Sequence, residues 1–331
     1  MPTPRISFVV PVLNDAERLD RCLRSIARTA DRGAIEIIVV DNASRDGSAE
    51  VARSHGALVI TLDHPRVAEL RNAGATFASG DILAFVDADH EISSEWADAA
   101  LATFGDGAVA AAGAAYHAPP SGTWVQCAYG ALRGTPRGQH DVEWLGSGNM
   151  AIRRSAFLAA GGFDTSLTTC EDVDLCNRLR AAGHRVVSNA RMQSVHFGDP
   201  ETLWAVLNGE LWRGRDNLRV SLRGERSLRT LPSVLLPVID AAMLTLGAAA
   251  LILALTGSRT GLAVSVASLA MIAAGGMLRV SRMIAREHRW NPVDILQAWL
   301  VSCAHDIGRA LALLVRARHR RGHQARAVTV N

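Results

Sequence analysis

The chain has 331 residues, more than the usual single domain of about 100 to 200 residues. Hydrophobic residues make up 49% and the mean hydropathy is +0.12, but charged residues still make up 20%, which excludes a chain lying wholly within a bilayer. Residues 1–202 carry 18 Arg against 25 Asp and Glu, and residues 203–331 carry 17 Arg against 7 acids, so an acidic soluble part should precede an apolar, basic part.

The cysteines and the N-terminus indicate the compartment. The five cysteines form no C-x-x-C pair, and their odd number argues against a disulfide framework, so we expect free thiols in a reducing compartment. The apolar run near the N-terminus is only a few residues long and is typical of a strand, so no signal peptide is predicted.

Two kinds of segment alternate over residues 6–86. Short runs rich in Val and Ile have the character of parallel strands buried on both faces: Ile6–Val12, Ile35–Val40, Leu58–Leu62 and Ile82–Val86. Helical segments lie between them: Ala16–Thr29, Ser48–Ser54 and Val67–Ala78. This alternation predicts a doubly wound, mostly parallel α/β sheet with right-handed crossovers.

Polar residues at the ends of these strands are the first candidate site residues, because such sheets bind ligands beyond the carboxyl ends of their strands. They are Asn14, Asp15, Asp41, Asn42, Asp87 and Asp89. Two carboxylates separated by one residue, as in Asp87 and Asp89, can bind a hard divalent cation and a ribose. The glycine-rich dinucleotide fingerprint and the phosphate loop with its lysine are both absent from the sequence.

Residues 100–145 are rich in Ala and Gly and predict little structure. The turn Gly146–Asn149 then precedes a helix predicted from Ser155. Glu171 and Asp172 open a further helix, Val173–Ala182. A single acid there would ordinarily complement the helix dipole, but we interpret the adjacent pair as functional.

Two long apolar segments follow residue 203. Leu231–Leu255 contains Asp240 as its one charge, and Gly261–Leu278 contains none, so each is near or above the length that crosses a hydrocarbon core of about 30 Å. We predict a transmembrane hairpin. An interfacial or re-entrant segment is the alternative, because an intramembrane carboxylate costs about 2.5 to 3.5 kcal/mol. Both ends should be cytoplasmic because the flanks are basic, with Arg223, Arg226, Arg229, Arg279, Arg282, Arg286 and Arg289.

A last helix is predicted to begin at Asn291–Pro292. Apolar residues recur in it at helical spacing: Leu296, Trp299, Leu300, Cys303, Ile307, Leu311 and Leu314. That pattern is typical of an amphipathic helix lying on a membrane. The tail Arg316–Arg326 holds five Arg and two His and should bind anionic membrane lipids. Nucleic acid is not expected as a partner, because no binding fold accompanies the tail.

Six motifs follow one another along the first part of the chain. They are Val10–Asp15 (VPVLND), Asp41–Ser48 (DNASRDGS), Arg71–Gly74 (RNAG), Phe85–Asp89 (FVDAD), Gly146–Met150 (GSGNM) with Gly161–Asp164 (GGFD), and Glu171–Cys176 (EDVDLC). In this order and spacing the chain resembles the family 2 glycosyltransferases with a GT-A fold, over about residues 5–200. The expected organisation is a Rossmann-like GT-A domain at 1–205, a basic juxtamembrane linker at 206–230, the hairpin at 231–280, and the amphipathic helix and tail at 281–331.

The resemblance implies a nucleotide-sugar site. Its donor-binding residues would be Pro11, Asn14, Asp15, Asp41, Arg71 and Asp87. The family pattern puts the base and ribose at Asp15 and Asp41, and the nucleotide or its diphosphate at Arg71. Asp89 would bind a divalent cation, Mg²⁺ or Mn²⁺. An isolated histidine is more often structural, but the family places a metal-binding histidine shortly after the Glu-Asp helix, where this chain has His196.

The resemblance also implies an acceptor side. An inverting enzyme needs a general base opposite the leaving group, and the family places it at the Asp of the Glu-Asp pair, here Asp172. Glu171, Trp144, Gly148 and Asn149 are the candidate acceptor-binding residues, with Trp144 as a core residue the alternative. Processive relatives carry Gln-x-x-Arg-Trp where this chain has Trp-Arg-Gly-Arg, which favours single-sugar addition.

The sequence therefore predicts an inverting, metal-dependent glycosyltransferase at the cytoplasmic face of the inner membrane. It would move a sugar from a nucleotide-sugar donor to a lipid-linked or cell-envelope glycan. A polyprenyl-phosphate glycosyltransferase, whose lipid phosphate needs no general base, is the alternative enzyme. A non-catalytic scaffold with a GT-A fold is the alternative outside enzymes.

Overall fold

The computed structural model describes residues 5–29, 35–63, 65–134, 137–224, 231–286, 291–315 and 329–330. The chain divides into two compact units. Unit 1 comprises residues 1–117, 135–198 and 320–331, and unit 2 comprises residues 118–134 and 199–319.

Unit 1 is built on a mixed, mostly parallel sheet. Its described strands are β1 (Ile6–Val12), β2 (Ile35–Asp41), β3 (Leu58–Thr61), β4 (Ile82–Val86), β5 (His90–Ile92), β6 (Val109–Gly113), β7 (Gln139–Asp141), β8 (Asn149–Arg153), β9 (Arg185–Asn189), β10 (Ser194–His196) and β11 (Thr329–Val330). Nine of these strands pair in the order β11-β3-β2-β1-β4-β8-β6-β9-β7, and β5 pairs with β10 in a small antiparallel sheet. Strands β1 to β4 run parallel, as predicted, and β8 is antiparallel to both its neighbours.

The described helices are α1 (Ala16–Ala27), α2 (Ser48–Ser54), α3 (Val67–Phe77), α4 (Trp96–Thr103), α5 (Trp124–Arg133), α6 (Arg154–Ala159), α7 (Glu171–Ala181), α8 (Leu203–Arg213), α9 (Asn217–Arg223), α10 (Leu231–Leu255), α11 (Arg259–Arg286) and α12 (Pro292–Leu314). Helices α5 and α8 to α12 belong to unit 2, and the others belong to unit 1. Ala190–Met192 forms one 3-10 turn before β10.

The sheet of unit 1 is covered on both faces, because successive residues of a strand point to opposite sides. Phe8 and Val10 of β1 pack in one buried cluster with Leu23 of α1. Val9 packs in a second cluster on the other face. A Cβ at Gly74 of α3 would collide with the side chain of Val9, so this glycine lets α3 approach the sheet closely. The doubly wound α/β architecture predicted from the alternating segments is confirmed.

Residues 100–145, for which the sequence predicted little structure, contain strand β6, which lies between β8 and β9. Its sequence, Val-Ala-Ala-Ala-Gly, lacks the β-branched residues that signal a strand. Small residues are required there: a Cβ at Gly113 would collide with the carbonyl oxygen of Asn149 on β8. Tertiary packing therefore determines that this segment forms a strand.

Unit 2 contains the two apolar helices predicted from the sequence. Val234–Leu255 within α10 and Arg259–Ala285 within α11 are long and apolar enough to cross a membrane by length and composition. Most of their side chains are exposed, whereas the core helix of a soluble protein would be mostly buried. Asp240 itself is 6% exposed, and its carboxyl interacts with charged groups of α11 and α12. An intramembrane carboxylate that faces neighbouring helices avoids the full cost of facing lipid.

Helix α12 begins where the sequence predicted. Oδ1 of Asn291 accepts hydrogen bonds from the N–H groups of Val293 and Asp294, both at 2.9 Å, and a proline follows at the first helical position. Helix α12 packs against both α8 and α11. Two of its sides are therefore covered by other helices, whereas an amphipathic helix lying on a surface has one covered side. The basic tail 316–326 and the residues Arg226, Arg229 and Arg289 lie outside the described residues.

Candidate active site

The loop that follows β1 is bonded to the loop that follows β2. Asn14 has a positive φ of 49°, and its Oδ1 accepts a hydrogen bond from the N–H of Arg45 at 2.8 Å. The N–H of Asn14 donates to Oγ of Ser44 at 2.9 Å. The Asp41 carboxylate is 3% exposed and accepts from the N–H of Ser44 at 3.2 and 3.3 Å. These bonds hold two of the predicted donor-binding residues side by side.

Asp15 and Pro11 differ in accessibility. The Asp15 side chain is 22% exposed, and its carboxylate lies 2.9 Å from Nε of Arg18. Arg18 also donates to the carbonyl oxygen of Phe197 at 3.3 Å, which ties α1 to the segment after β10. Pro11 is buried within β1 opposite Val40, so it shapes the strand beneath the loop.

A buried arginine joins two of the predicted carboxylates. Arg71 of α3 donates from Nη2 to Oδ1 of Asp87 at 2.7 Å and from Nη1 to Oε1 of Glu171 at 2.8 Å. Burial opposes the charged form, but the charges of Asp87 and Glu171 outweigh it and raise the pKa of Arg71. Arg71 was expected to contact the nucleotide. In the structure Arg71 instead bonds to two carboxylates and so holds Asp87 and Glu171 at a fixed spacing.

Asp89 lies beside two imidazoles. Its Oδ2 is 3.2 Å from Nε2 of His196, and its Oδ1 is 4.0 Å from Nε2 of His90. One ligand atom from each residue lies within 4.8 Å of the other two. Burial disfavours ionisation, but the hydrogen bond and charge of His196 hold the pKa of Asp89 well below its usual range. An ionised carboxylate flanked by imidazoles is a donor set that binds divalent cations.

Two glycines keep the space beside these atoms open. A Cβ at Gly198 would collide with Oδ2 of Asp89. A Cβ at Gly148 would lie 2.7 Å from Oδ2 of Asp87 and 3.0 Å from Nε2 of His90. Any larger residue at either position would displace a candidate ligand. The donor set and the cradle therefore fit a divalent cation.

Asp172 is the second residue of α7 and follows Glu171, which Arg71 joins to Asp87. Its Oδ2 accepts from the N–H of Ser147 at 3.3 Å, and its Oδ1 accepts from the N–H of Val173 at 2.8 Å. Burial within the site and the neighbouring charge of Glu171 raise the pKa of Asp172 to about 7. A carboxylate with a pKa near neutrality is suited to accept a proton from an attacking hydroxyl.

Of the other predicted acceptor residues, Trp144 is 52% exposed, so it is a surface side chain and the alternative of a core residue is wrong. Asn149 is fully buried. Its amide donates to the carbonyl oxygens of Ala114 and Met192 at 3.1 and 2.8 Å and accepts from Nε1 of Trp96 at 2.7 Å. Because those bonds occupy the amide inside the core, Asn149 positions the strands and the prediction that it contacts an acceptor is corrected.

The sequence interpretation missed His90 and Gly198. His90 directly follows Asp89, so a motif extended by one residue, Asp-x-Asp-His, would have included it. Gly198 carried no comparable signal, because its closeness to Asp89 arises from the pairing of β5 with β10.

Several known proteins are similar to this chain in sequence. The profile of glycosyl transferase family 2 matches residues 7–158. The pre-mycofactocin glycosyltransferase of Mycobacterium tuberculosis is 32% identical over 198 residues, which cover 55% of this chain and 40% of that protein. The glycosyltransferase AglE of Haloferax volcanii is 34% identical over 107 residues, 30% of this chain and 35% of that protein. The matched segment therefore spans less than half of each of these two relatives.

A third relative is the succinoglycan biosynthesis protein ExoA of Rhizobium meliloti, 26% identical over 209 residues, which cover 57% of this chain and 62% of that protein. Among solved structures, the mannosyltransferase PcManGT from Pyrobaculum calidifontis, in complex with GDP-Man and Mn²⁺, superposes with a TM-score of 0.56 and 17% identity over 92% of this chain and 87% of that one. This likeness shows a shared GT-A-like fold. By the profile match and the curated relatives, residues 7–158 of the chain are similar to the family 2 glycosyltransferases, and the fold is GT-A-like.

Proposed function

We propose that this protein transfers a sugar, with inversion, from a nucleotide-sugar donor to a hydroxyl of a lipid-linked or cell-envelope glycan. One observation carries the proposal. The near-neutral carboxyl of Asp172 stands beside Glu171, which Arg71 joins to Asp87 on the donor side. Ser147 donates its N–H to Asp172 and its hydroxyl to Glu171, so hydrogen bonds connect the candidate base to Glu171, Arg71 and Asp87.

The names of similar proteins support the donor and acceptor classes. PcManGT was solved with GDP-Man, a nucleotide sugar. ExoA is named for the biosynthesis of succinoglycan. The first name supports a nucleotide-sugar donor for the present chain, and the second supports a glycan acceptor.

On the donor side, the carboxylates of Asp41 and Asp15 would accept hydrogen bonds from a base and a ribose. Asp87 keeps Oδ1 on Arg71 and directs Oδ2 toward Gly148. Asp89 and His196 would hold a divalent cation, which when bound stabilises negative charge on the leaving diphosphate.

On the acceptor side, Asp172 takes the proton from the attacking hydroxyl. The new bond forms between that oxygen and the anomeric carbon as the bond from this carbon to the diphosphate oxygen breaks, and the nucleoside diphosphate leaves with the electron pair. The N–H of Ser147 fixes the orientation of the Asp172 carboxylate. Attack from the face opposite the leaving group inverts the anomeric centre.

The two apolar helices support a reaction that takes place at a membrane. As a hairpin, α10 and α11 would span the bilayer with both ends on the side that carries the arginines. Nucleotide sugars are then met on the cytoplasmic face, where a lipid-linked glycan presents its hydroxyls. The anionic lipids of that leaflet would attract the basic flanks.

A donor screen on the full chain in detergent tests the proposal. Nucleotide sugars are supplied with Mn²⁺ or Mg²⁺, with and without membrane lipid extract, and released nucleoside diphosphate is measured. We expect release from one donor class, increased by the extract. Absence of release and of metal-dependent donor binding for every nucleotide sugar would contradict the proposal and favour a non-catalytic scaffold.

A further inference from the structure

The proposed function gives no role to the motif Gly161–Asp164 (GGFD). The motif lies between α6 and α7, and Phe163 within it is 2% exposed. Gly161 and Gly162 have φ angles of 79° and 71°, a left-handed backbone that glycine adopts without strain. The turn that they form brings the main chain of Phe163 to α3.

Asn72 of α3 binds this loop through both atoms of its side-chain amide. Its Oδ1 accepts a hydrogen bond from the N–H of Phe163 at 2.9 Å, and its Nδ2 donates to the carbonyl oxygen of the same residue at 2.9 Å. On the other side, Arg178 of α7 donates to the carbonyl oxygens of Ala160 and Gly162. The loop is therefore bonded both to the helix that carries the buried arginine and to the helix that carries the candidate base.

The ring of Phe163 supports the guanidinium of Arg71. Cζ of Arg71 lies 5.7 Å from the centre of the ring, within the range of a cation–π contact. The same ring meets Phe85 edge-on at 5.0 Å and Phe157 at 5.5 Å, so its own position is fixed by packing. Nε of Arg71 is buried and has no hydrogen-bond partner among the described residues. Because hydrogen bonds leave this nitrogen unbound, packing against Phe163 has to help hold the guanidinium in place.

We propose that Asn72 is a positioning residue, which acts through Phe163 to hold the Arg71 guanidinium against Asp87 and Glu171. The inference rests on the proposed function, in which a carboxylate of α7 is the base. Without the amide of Asn72, the loop and its ring would be free to move away from α3. The guanidinium would then turn toward solvent, where its unbound nitrogen finds water, and its charge would lie farther from the base.

The position of Arg71 affects Asp172 through its charge. Burial first, and then the charge of Glu171, raise the pKa of Asp172. The charge of Arg71 lowers this pKa, together with hydrogen bonds from two backbone N–H groups. Burial raises the pKa of Cys176, one turn further along α7, to about 12, so this thiol adds no charge at neutral pH. A guanidinium that moves away should therefore raise the pKa of Asp172 further.

The first test compares Asn72→Ala with Thr76→Ala, which removes an exposed hydroxyl from the same helix. A hydrophobic carbodiimide, which reacts with protonated carboxyl groups, is applied to the full chain in detergent over a series of pH values. Mass spectrometry then measures the labelling of Asp172. We expect the pH midpoint of labelling to rise by about one unit in Asn72→Ala and to keep its wild-type value in Thr76→Ala. An unchanged midpoint in Asn72→Ala would overturn the proposal.

The second test uses two neighbouring glycines that share the left-handed backbone. A Cβ on Gly162 would lie 2.8 Å from Oδ1 of Asn72, whereas a Cβ on Gly161 would meet no atom within 4 Å. Gly162→Ala and Gly161→Ala therefore introduce similar backbone strain, but only Gly162→Ala disturbs the amide. We expect the midpoint of labelling to rise in Gly162→Ala alone. An equal rise in both variants would assign the effect to backbone strain and contradict the positioning role.

Sugar transfer gives a separate readout. A general structural defect lowers the rate by the same factor at every pH, but a base with a raised pKa loses most activity where it is protonated. The loss of kcat/KM in Asn72→Ala should therefore be larger at about pH 6.5 than at about pH 9. A raised midpoint of labelling with no transfer from any donor would contradict the proposed function and leave the positioning role standing. Transfer with the same pH dependence in wild type and Asn72→Ala, and an unchanged midpoint, would contradict the positioning role and leave the function standing.

Discussion

Asp172 shows how surroundings convert an ordinary carboxylate into a candidate base. Burial and the charge of Glu171 raise its pKa to about 7, so Asp172 holds a proton far more readily than an exposed aspartate. The same sequence position in an open helix end would titrate near 4. The raised pKa of Asp172 is therefore a property of the folded site and not of the local sequence.

The first prediction concerns Asp172→Asn. Without a base, sugar transfer should fall about 10²- to 10⁴-fold while donor binding is retained. In wild type, kcat/KM should rise with pH and level off above about 7, since the base works ionised. Released nucleoside diphosphate against pH gives the profile, and Asp98→Asn, an exposed aspartate of α4, is the control. A variant that keeps the wild-type rate would point to a lipid phosphate as acceptor.

The second prediction follows from the direction in which the pKa of Asp172 is shifted. The folded-state pKa lies above the ordinary value of 3.8, so ionisation of Asp172 opposes folding, and this penalty grows between about pH 4 and about pH 7. At pH 8 the free energy of unfolding of Asp172→Asn should equal or exceed that of wild type. Denaturant unfolding in detergent measures the difference. A destabilised variant at pH 8 would contradict the raised pKa.

The third prediction concerns Gly198. A Cβ there would collide with Oδ2 of Asp89, so Gly198→Ala should weaken Mn²⁺ binding by at least about tenfold through a displaced ligand. Gly107→Ala is the matched control, because its Cβ would meet no atom within 4 Å. Titration of both variants with Mn²⁺ makes the comparison. Unchanged affinity in Gly198→Ala would show that the cradle tolerates a side chain.

Helices α8 and α12 are elements whose partnership the sequence did not indicate. Glu210 of α8 is 1% exposed, and it accepts hydrogen bonds from the hydroxyl of Tyr129 at 2.6 Å and from Nε of Arg309 on α12 at 2.8 Å. Burial would raise the pKa of Glu210, but the charges of its neighbours, His305 first, outweigh burial and lower this pKa to about 2. Gly308 of α12 brings the two backbones together at this point. The predicted surface helix is therefore part of a packed bundle.

The fourth prediction tests that packing. A Cβ on Gly308 would lie 2.6 Å from the carbonyl oxygen of Leu207, which is rigid backbone, so Gly308→Ala should destabilise unit 2 by about 1 to 3 kcal/mol. Gly275 is also helical, but its Cβ would meet nothing within 4 Å. Gly275→Ala should be neutral or stabilising by up to about 1 kcal/mol. Thermal unfolding in detergent compares the two variants. Equal stabilities would show that α8 and α12 can move apart at Gly308 without a loss of stability.

At the scale of the whole molecule, the charge division of the sequence sets the expected arrangement across a membrane. The hairpin turn between α10 and α11 would lie on the far side of the bilayer from the basic flanks. Cys127 is exposed in unit 2, in the segment predicted to be cytoplasmic.

The fifth prediction is that a membrane-impermeant maleimide labels Thr256→Cys in intact spheroplasts, because Thr256 is exposed in the turn. The wild-type chain, with Cys127, should be labelled only after lysis. Labelling is read by mass shift on a gel. Wild-type labelling before lysis, or no labelling of Thr256→Cys before lysis, would contradict the hairpin orientation.

Most elements of the fold could be predicted because their signals are local. Strands β1 and β4 have the predicted bounds, α10 spans Leu231–Leu255 as predicted, and Asn291 caps α12. Strand β6 could not be predicted, because its alanines carry no strand signal and its place between β8 and β9 depends on pairing with distant strands.

By itself, the sequence determined the kind of molecule: its alternating strands and helices, its strand-end carboxylates and its two apolar helices follow from composition and periodicity, and its resemblance to the family 2 glycosyltransferases follows from the order of its motifs. Only the tertiary structure decided which of those groups meet. It set Arg71 between Asp87 and Glu171, brought His90 and His196 to Asp89, and buried Asn149. The physical reason is that pairing of distant strands and desolvation are long-range effects, and no local pattern of residues encodes them.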